Sequence, residues 1–105
     1  MTAQVLHHPR LAWDGARVIV RTLESAQQPY GWLAEQIGDL LGPEYRQALF
    51  ESWHRIWVTE RPDAPQAEAG LWRVRLEDFL RFHPDRAMSL LAFLHEATAR
   101  LTIPA

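Results

Sequence analysis

The sequence predicts an all-α fold, a compact bundle of about five helices. Three observations lead there. Prolines and glycines fall at well-spaced joints: Pro29, the Gly42-Pro43 pair, Pro62 with Pro65, the His83-Pro84 pair and Pro104. Between them lie segments of roughly 11 to 18 residues, the usual length of globular helices. Within each segment the apolar residues recur at spacings of three and four rather than alternating, which is the signature of a one-sided helix. The chain of 105 residues, 48% hydrophobic and 23% charged, has the balance of a single globular domain.

The elements follow in order. Residues 1–12 are assigned to an N-terminal arm, flexible or forming an extra turn, and residues 13–105 to the helical domain. The first helix is expected at 15–27. Val18-Ile19-Val20 favours a strand by composition, but a strand would place Ile19 and Leu23 on one face with Arg17 and Arg21. A helix gathers Ala16, Ile19, Val20, Leu23 and Ala26 into one stripe, with Asp14 as N-cap. The second helix, 30–41, opens after Pro29, carries Leu33, Ile37, Leu40 and Leu41, and stops at Gly42. The third, 43–59, starts at Pro43 with Tyr45, Leu49, Trp53 and Ile56 inward. The fourth, 64–82, follows an Asp63-x-x-Gln66 pair spaced as a capping box and buries Trp72, Leu76, Phe79 and Leu80. The fifth, 84–101, carries Leu90, Leu91, Leu94, Ala97 and Leu101, is apolar round most of its circumference, and is expected to be central.

Absences narrow the chemistry. The chain has no cysteine, which excludes disulfides, thiolate nucleophiles and cysteine-held zinc or iron–sulfur sites. It has no lysine, so Schiff-base chemistry and a Walker-type phosphate loop are also out. The lack of both Lys and Asn in an Ala- and Arg-rich chain suggests a GC-rich, bacterial origin. A formal net charge of −2 argues against a nucleic-acid module. No apolar run reaches the length of a membrane span and the first residues lack a signal-peptide core, so a cytoplasmic protein is expected.

Few motifs point to a site. Glu51 and His54 form one Glu-x-x-His, the helical spacing of di-iron carboxylate proteins. Such sites need two copies, so a metal would require a dimer; the simpler reading is a solvated Glu51–Arg55 pair at i, i+4. Leu33-Ala34-Glu35-Gln36-Ile37-Gly38 resembles the first helix and turn glycine of helix-turn-helix regulators. That resemblance covers six residues and implies a recognition helix in the third segment. The segment carries Glu44 and Glu51 against only Arg46 and Arg55, a poor balance for phosphate. Ser25, Ser52 and Ser89 lack the context of a nucleophile elbow. Glu77–Arg81 and Glu96–Arg100 read as solvated pairs. No enzyme activity and no cofactor are expected.

The aromatic residues carry most of the functional signal. Trp72 and Trp53 fall on core stripes, and Trp57 sits at a boundary beside Phe50. Trp32 shares its sector with Glu35, Gln36 and Asp39, so it either packs against a neighbouring loop or the N-terminal arm, or anchors an interface. Leu71, Val74 and Phe82 form a second apolar strip on the fourth helix, and Phe93 stands between Arg86 and Arg100. Surplus apolar material of this kind is either wrapped by the helices themselves or buried against another chain, and the second reading is preferred. The expected function is therefore a non-catalytic, self-associating protein–protein interaction module, an adaptor, assembly factor or partner subunit. Trp32, Phe50, Trp57, Leu71, Val74, Phe82 and Phe93 would make the contact, with Arg46 and Arg75 at its rim. A small DNA-binding regulator using residues 30–58 and a dimeric Glu51/His54 metal site are the alternatives.

Overall fold

The computed structural model describes residues 7–25, 30–59 and 61–102. Its described elements are helical throughout: α1 His8–Glu24, α2 Tyr30–Leu41, α3 Pro43–Val58, α4 Ala64–Phe82 and α5 Ala87–Thr102, with a 3-10 turn Pro84–Arg86 leading into α5. The bounds of α2 and α4 coincide with the expected ones. α3 ends one residue early, and α5 gives its first turn to the 3-10 segment. Val18, Ile19 and Val20 are helical.

α1 is the main correction. It begins at His8, seven residues before the expected start, and takes up residues assigned above to an arm. Its N-cap is His7, whose Nδ1 accepts the Arg10 amide at 3.2 Å, and a proline occupies the first turn, where a missing N–H costs nothing. Asp14 is not a cap at all; it lies inside the helix and pairs with Arg10 at 3.2 Å. Ala26 falls outside the described residues. The inward stripe is Leu11, Ala12, Ala16, Ile19, Val20 and Leu23, all buried.

α1, rather than α5, is the central helix. It packs chiefly on α4 and α5 and also meets α2 and α3. Small side chains allow this. Ala12 and Ala16 are wholly buried, and a Cβ built on Gly15 would lie 2.8 Å from Leu76 Cδ1 and 3.5 Å from Leu94 Cδ2. Gly15 therefore lets α4 and α5 close on the same turn of α1. The rest of the core comes from Leu33, Ile37, Leu49, Trp72, Leu76, Leu80 and Leu90, each wholly buried.

A single residue, Gly42, joins α2 to α3. Its φ of 117° and ψ of 168° belong to a region that essentially only glycine enters. Its amide donates to the Gly38 carbonyl, and its own carbonyl accepts from the Tyr45 and Arg46 amides. At the start of α4 the expected capping box does not form. Asp63 makes no side-chain cap because its carboxylate is held by Arg61 at 3.1 Å. α4 ends where Pro84 forbids another turn, with the His83 amide donating to the Phe79 carbonyl and its ring 4.9 Å from the Phe79 ring.

Candidate interaction surface

A polar cluster locks α3 to α4 and prepares the surface above it. Glu68 is buried, yet it is fully engaged: Ser52 Oγ donates to its Oε1 at 2.6 Å, and Arg55 reaches both oxygens at 2.6 and 2.9 Å. Ser52 Oγ in turn accepts the Trp72 indole N–H at 2.9 Å. Burial alone would push the Glu68 carboxyl up. The hydrogen bonds from Arg55 and Ser52, with the charges of Arg55 and Arg75, outweigh it and hold the carboxyl below its ordinary value. Arg55 therefore does not form the solvated pair with Glu51; it crosses to α4, while Glu51 takes a weak contact from Gln47 at 3.5 Å. Ser52 is closed to solvent and spent on two partners, which leaves it no route to a substrate.

Arg75 lies on the outer side of this cluster. Its guanidinium carbon sits 5.1 Å from the Trp72 ring centre, and its Nη1 is buried without a hydrogen-bond acceptor. Beside it, the outer side of α4 carries Leu71, Val74 and Phe82, exposed to 46, 50 and 74%. These three side chains leave one side of α4 open and apolar, with Asp78 and Arg81 paired at 3.4 Å among them.

The other expected contact residues divide. Phe50 and Trp57 are exposed on α3. Phe50 leans on Trp53, which also meets Tyr30 at 5.4 Å, so Trp53 is half-buried at the α2–α3 seam rather than in the core. Trp57 is tied down by its indole N–H, which donates to the Leu23 carbonyl of α1 at 2.7 Å. Arg46 is exposed, its aliphatic part lying over Gly38. Trp32 and Phe93 are satisfied within the chain. Their rings stack at 6.0 Å and 22°, the Arg100 guanidinium covers Trp32 at 4.0 Å, and Phe93 is buried. The element that receives Trp32 is α5, not a loop or the N-terminal arm.

Two surface features escaped the sequence. Trp13, placed in the helical domain but ahead of its first expected helix, is an exposed tryptophan of α1. Arg17 and Arg21 follow it at successive i+4 steps. The expected helix at 15–27 already holds Arg17 and Arg21; extending its stripe back through Ala12 and Leu11 would have added Trp13. Of the expected surface ion pairs, Glu96–Arg100 forms at 3.3 Å, whereas Glu77 pairs with Arg73 and Arg81 with Asp78.

The helix-turn-helix resemblance does not extend to geometry. Gly38 lies inside α2, and the corner falls four residues later at Gly42, too tight for a three- or four-residue turn. Among the described residues no three His, Cys, Asp or Glu side chains gather where they could hold a metal ion, and no helix is long and apolar enough to cross a membrane. Comparison with protein-family models, with curated proteins and with solved structures finds no match to this chain.

Proposed function

We propose that the protein is a non-catalytic helical interaction module that pairs with a second copy of itself across the outer side of α4. One observation carries this reading: Leu71, Val74 and Phe82 stand open on one side of a helix that is otherwise tightly built into the fold. From Leu71 to Phe82 the strip is about 16 Å long. Together the three side chains expose on the order of 300 Å² of apolar surface, within the range of functional patches on small proteins.

The order of residues favours a second copy as the occupant. Leu71, Arg75, Asp78 and Phe82 are spaced four, three and four. That spacing reads the same from either end. An antiparallel second α4 therefore sets each Leu71 against a Phe82, twice over, as a two-fold interface requires, with the Asp78–Arg81 pair of each copy at the rim. The area is small beside the 1,200–2,000 Å² of stable interfaces, so the pair should be weak, with a dissociation constant of about 10–100 µM.

Sedimentation velocity of Leu71→Arg and Phe82→Glu variants tests it. Both positions are open enough to leave the fold intact. Each variant alone should be monomeric where the wild type is dimeric. An equimolar mixture should dimerise again, because the guanidinium introduced in one copy then faces the carboxylate introduced in the other. A wild type that stays monomeric at about 300 µM would overturn self-pairing, and a mixture that fails to re-associate would overturn the antiparallel arrangement.

A further inference from the structure

We infer that the groove between α1 and the first turns of α4 is a second docking site, built to take an acidic, apolar-anchored peptide segment of a partner protein. It lies on a different surface from the strip of α4 and rests on different residues.

The groove encloses about 490 Å³, and its apolar lining comes from Trp13, Val20, Pro65 and Ala69. Trp13 is exposed to 42%, although every neighbouring residue of the inward stripe of α1 is packed away. An open indole beside a concave apolar floor is a typical anchor for a partner's side chain. Arg17 and Arg21 form the wall beside it.

Charge identifies what the wall would hold. Six of the eleven arginines, Arg10, Arg55, Arg61, Arg73, Arg81 and Arg100, have a carboxylate partner within the chain. Arg17 and Arg21 have none among the described residues, and at i, i+4 on an exposed helix face they repel one another. Two like charges left adjacent and unmatched in a chain of net charge −2 are relieved by an external anion. Within the same groove, Glu24 lies one turn past Arg21 and limits the positive stretch to two residues. That favours a short peptide with two carboxylates and an apolar anchor over a polyanionic nucleic acid, which needs a longer basic track. Apolar floor and paired cations together match an amphipathic segment with carboxylates along one edge.

The probe is a fluorescein-labelled peptide repeating Leu-Glu-Glu-Leu, with its Gln-for-Glu counterpart and an oligothymidylate of about twelve nucleotides as controls. Anisotropy gives affinity and amide chemical shifts give the site. The acidic peptide should bind and shift resonances of residues 13–24 and 65–69. Arg17→Gln with Arg21→Gln should weaken it about tenfold, as should added salt, and Trp13→Ala should weaken it at least as much. Phe82→Glu should leave it unchanged, which separates this site from self-pairing. The inference is overturned if the acidic peptide causes no shifts in the groove, if either groove variant binds it as the wild type does, if the Gln counterpart binds equally well, or if the oligothymidylate binds more tightly.

Discussion

Replacing Arg55 by Ala should cost the fold more than replacing Glu68, although both changes delete the same ion pair. In Arg55→Ala the carboxylate of Glu68, whose side chain is 5% exposed, keeps only the Ser52 hydroxyl. Breaking a buried pair by removing one partner costs about 3–5 kcal/mol. The Arg55 side chain is 39% exposed, so water reaches its side of the pair and the expected loss falls to about 2–3 kcal/mol. In Glu68→Ala, Arg55 can turn outward to water and Ser52 still accepts the Trp72 indole, so about 1–2 kcal/mol is expected. The double variant should lose less than the sum of the singles. Urea unfolding followed by circular dichroism at pH 7 measures all three.

The same pair sets a pH dependence. The wild-type carboxyl is held below its ordinary 4.5, so its contribution is fully present above pH 4.5 and is lost as pH falls through the lower folded value. Without Arg55 only the Ser52 hydrogen bond and the Arg75 charge oppose burial, so the carboxyl lies higher than in the wild type and the variant loses less stability as acid protonates it. The gap between the two proteins should therefore narrow from pH 7 towards about pH 3.5. A gap that stays constant with pH, or an Arg55→Ala loss below about 0.5 kcal/mol, would refute the reasoning.

Four further outcomes are expected. Gly42→Ala should destabilise by about 1–3 kcal/mol, because its backbone lies where a side chain is rarely tolerated. Gly70→Ala, mid-helix with open space around an added Cβ, should stabilise by about 0.5–1 kcal/mol; thermal melts that moved in the same direction for both would contradict the assignment. Trp57→Phe should cost about 1 kcal/mol, since it removes the bond to the Leu23 carbonyl and trims a half-exposed indole to a single six-membered ring. Trp32→Ala should lower stability by about 2 kcal/mol through the lost stack on Phe93 and the lost contact with Arg100, leaving sedimentation unchanged; a variant as stable as the wild type would make Trp32 an interface anchor again.

Local signals in the sequence carried the helices of this fold further than they carried its surface. Pro43, Gly42 and the His83-Pro84 pair act through their own backbone, and they placed α2, α3 and α4 within a residue. The start of α1 was hidden because its cap is a histidine ring, an uncommon cap, while Asp14 ahead of an apolar run imitated a common one. The capping box before α4 failed because Arg61 competes for Asp63, a partnership that spacing does not encode. Periodicity placed Trp72 correctly and put Arg55 on the solvated side, since it cannot know that Glu68 lies 13 residues away across a helix pair. The α4 strip was legible because it lies within one helix. Trp13 was missed with the first two turns of α1.

The central place of α1 has a consequence for how the chain is made. α1 is synthesised before every helix that covers it, and its chief partners, α4 and α5, emerge last. Until then its apolar stripe has only the lesser contacts with α2 and α3, while those two already have each other across Gly42. α2 and α3 thus form a local hairpin that can assemble on the ribosome, and α1 waits as a nascent helix for a long-range closure. On this account α4 and α5 close on α1 after the hairpin has formed, and Gly15, against which Leu76 and Leu94 pack, is where a larger side chain would obstruct that closure.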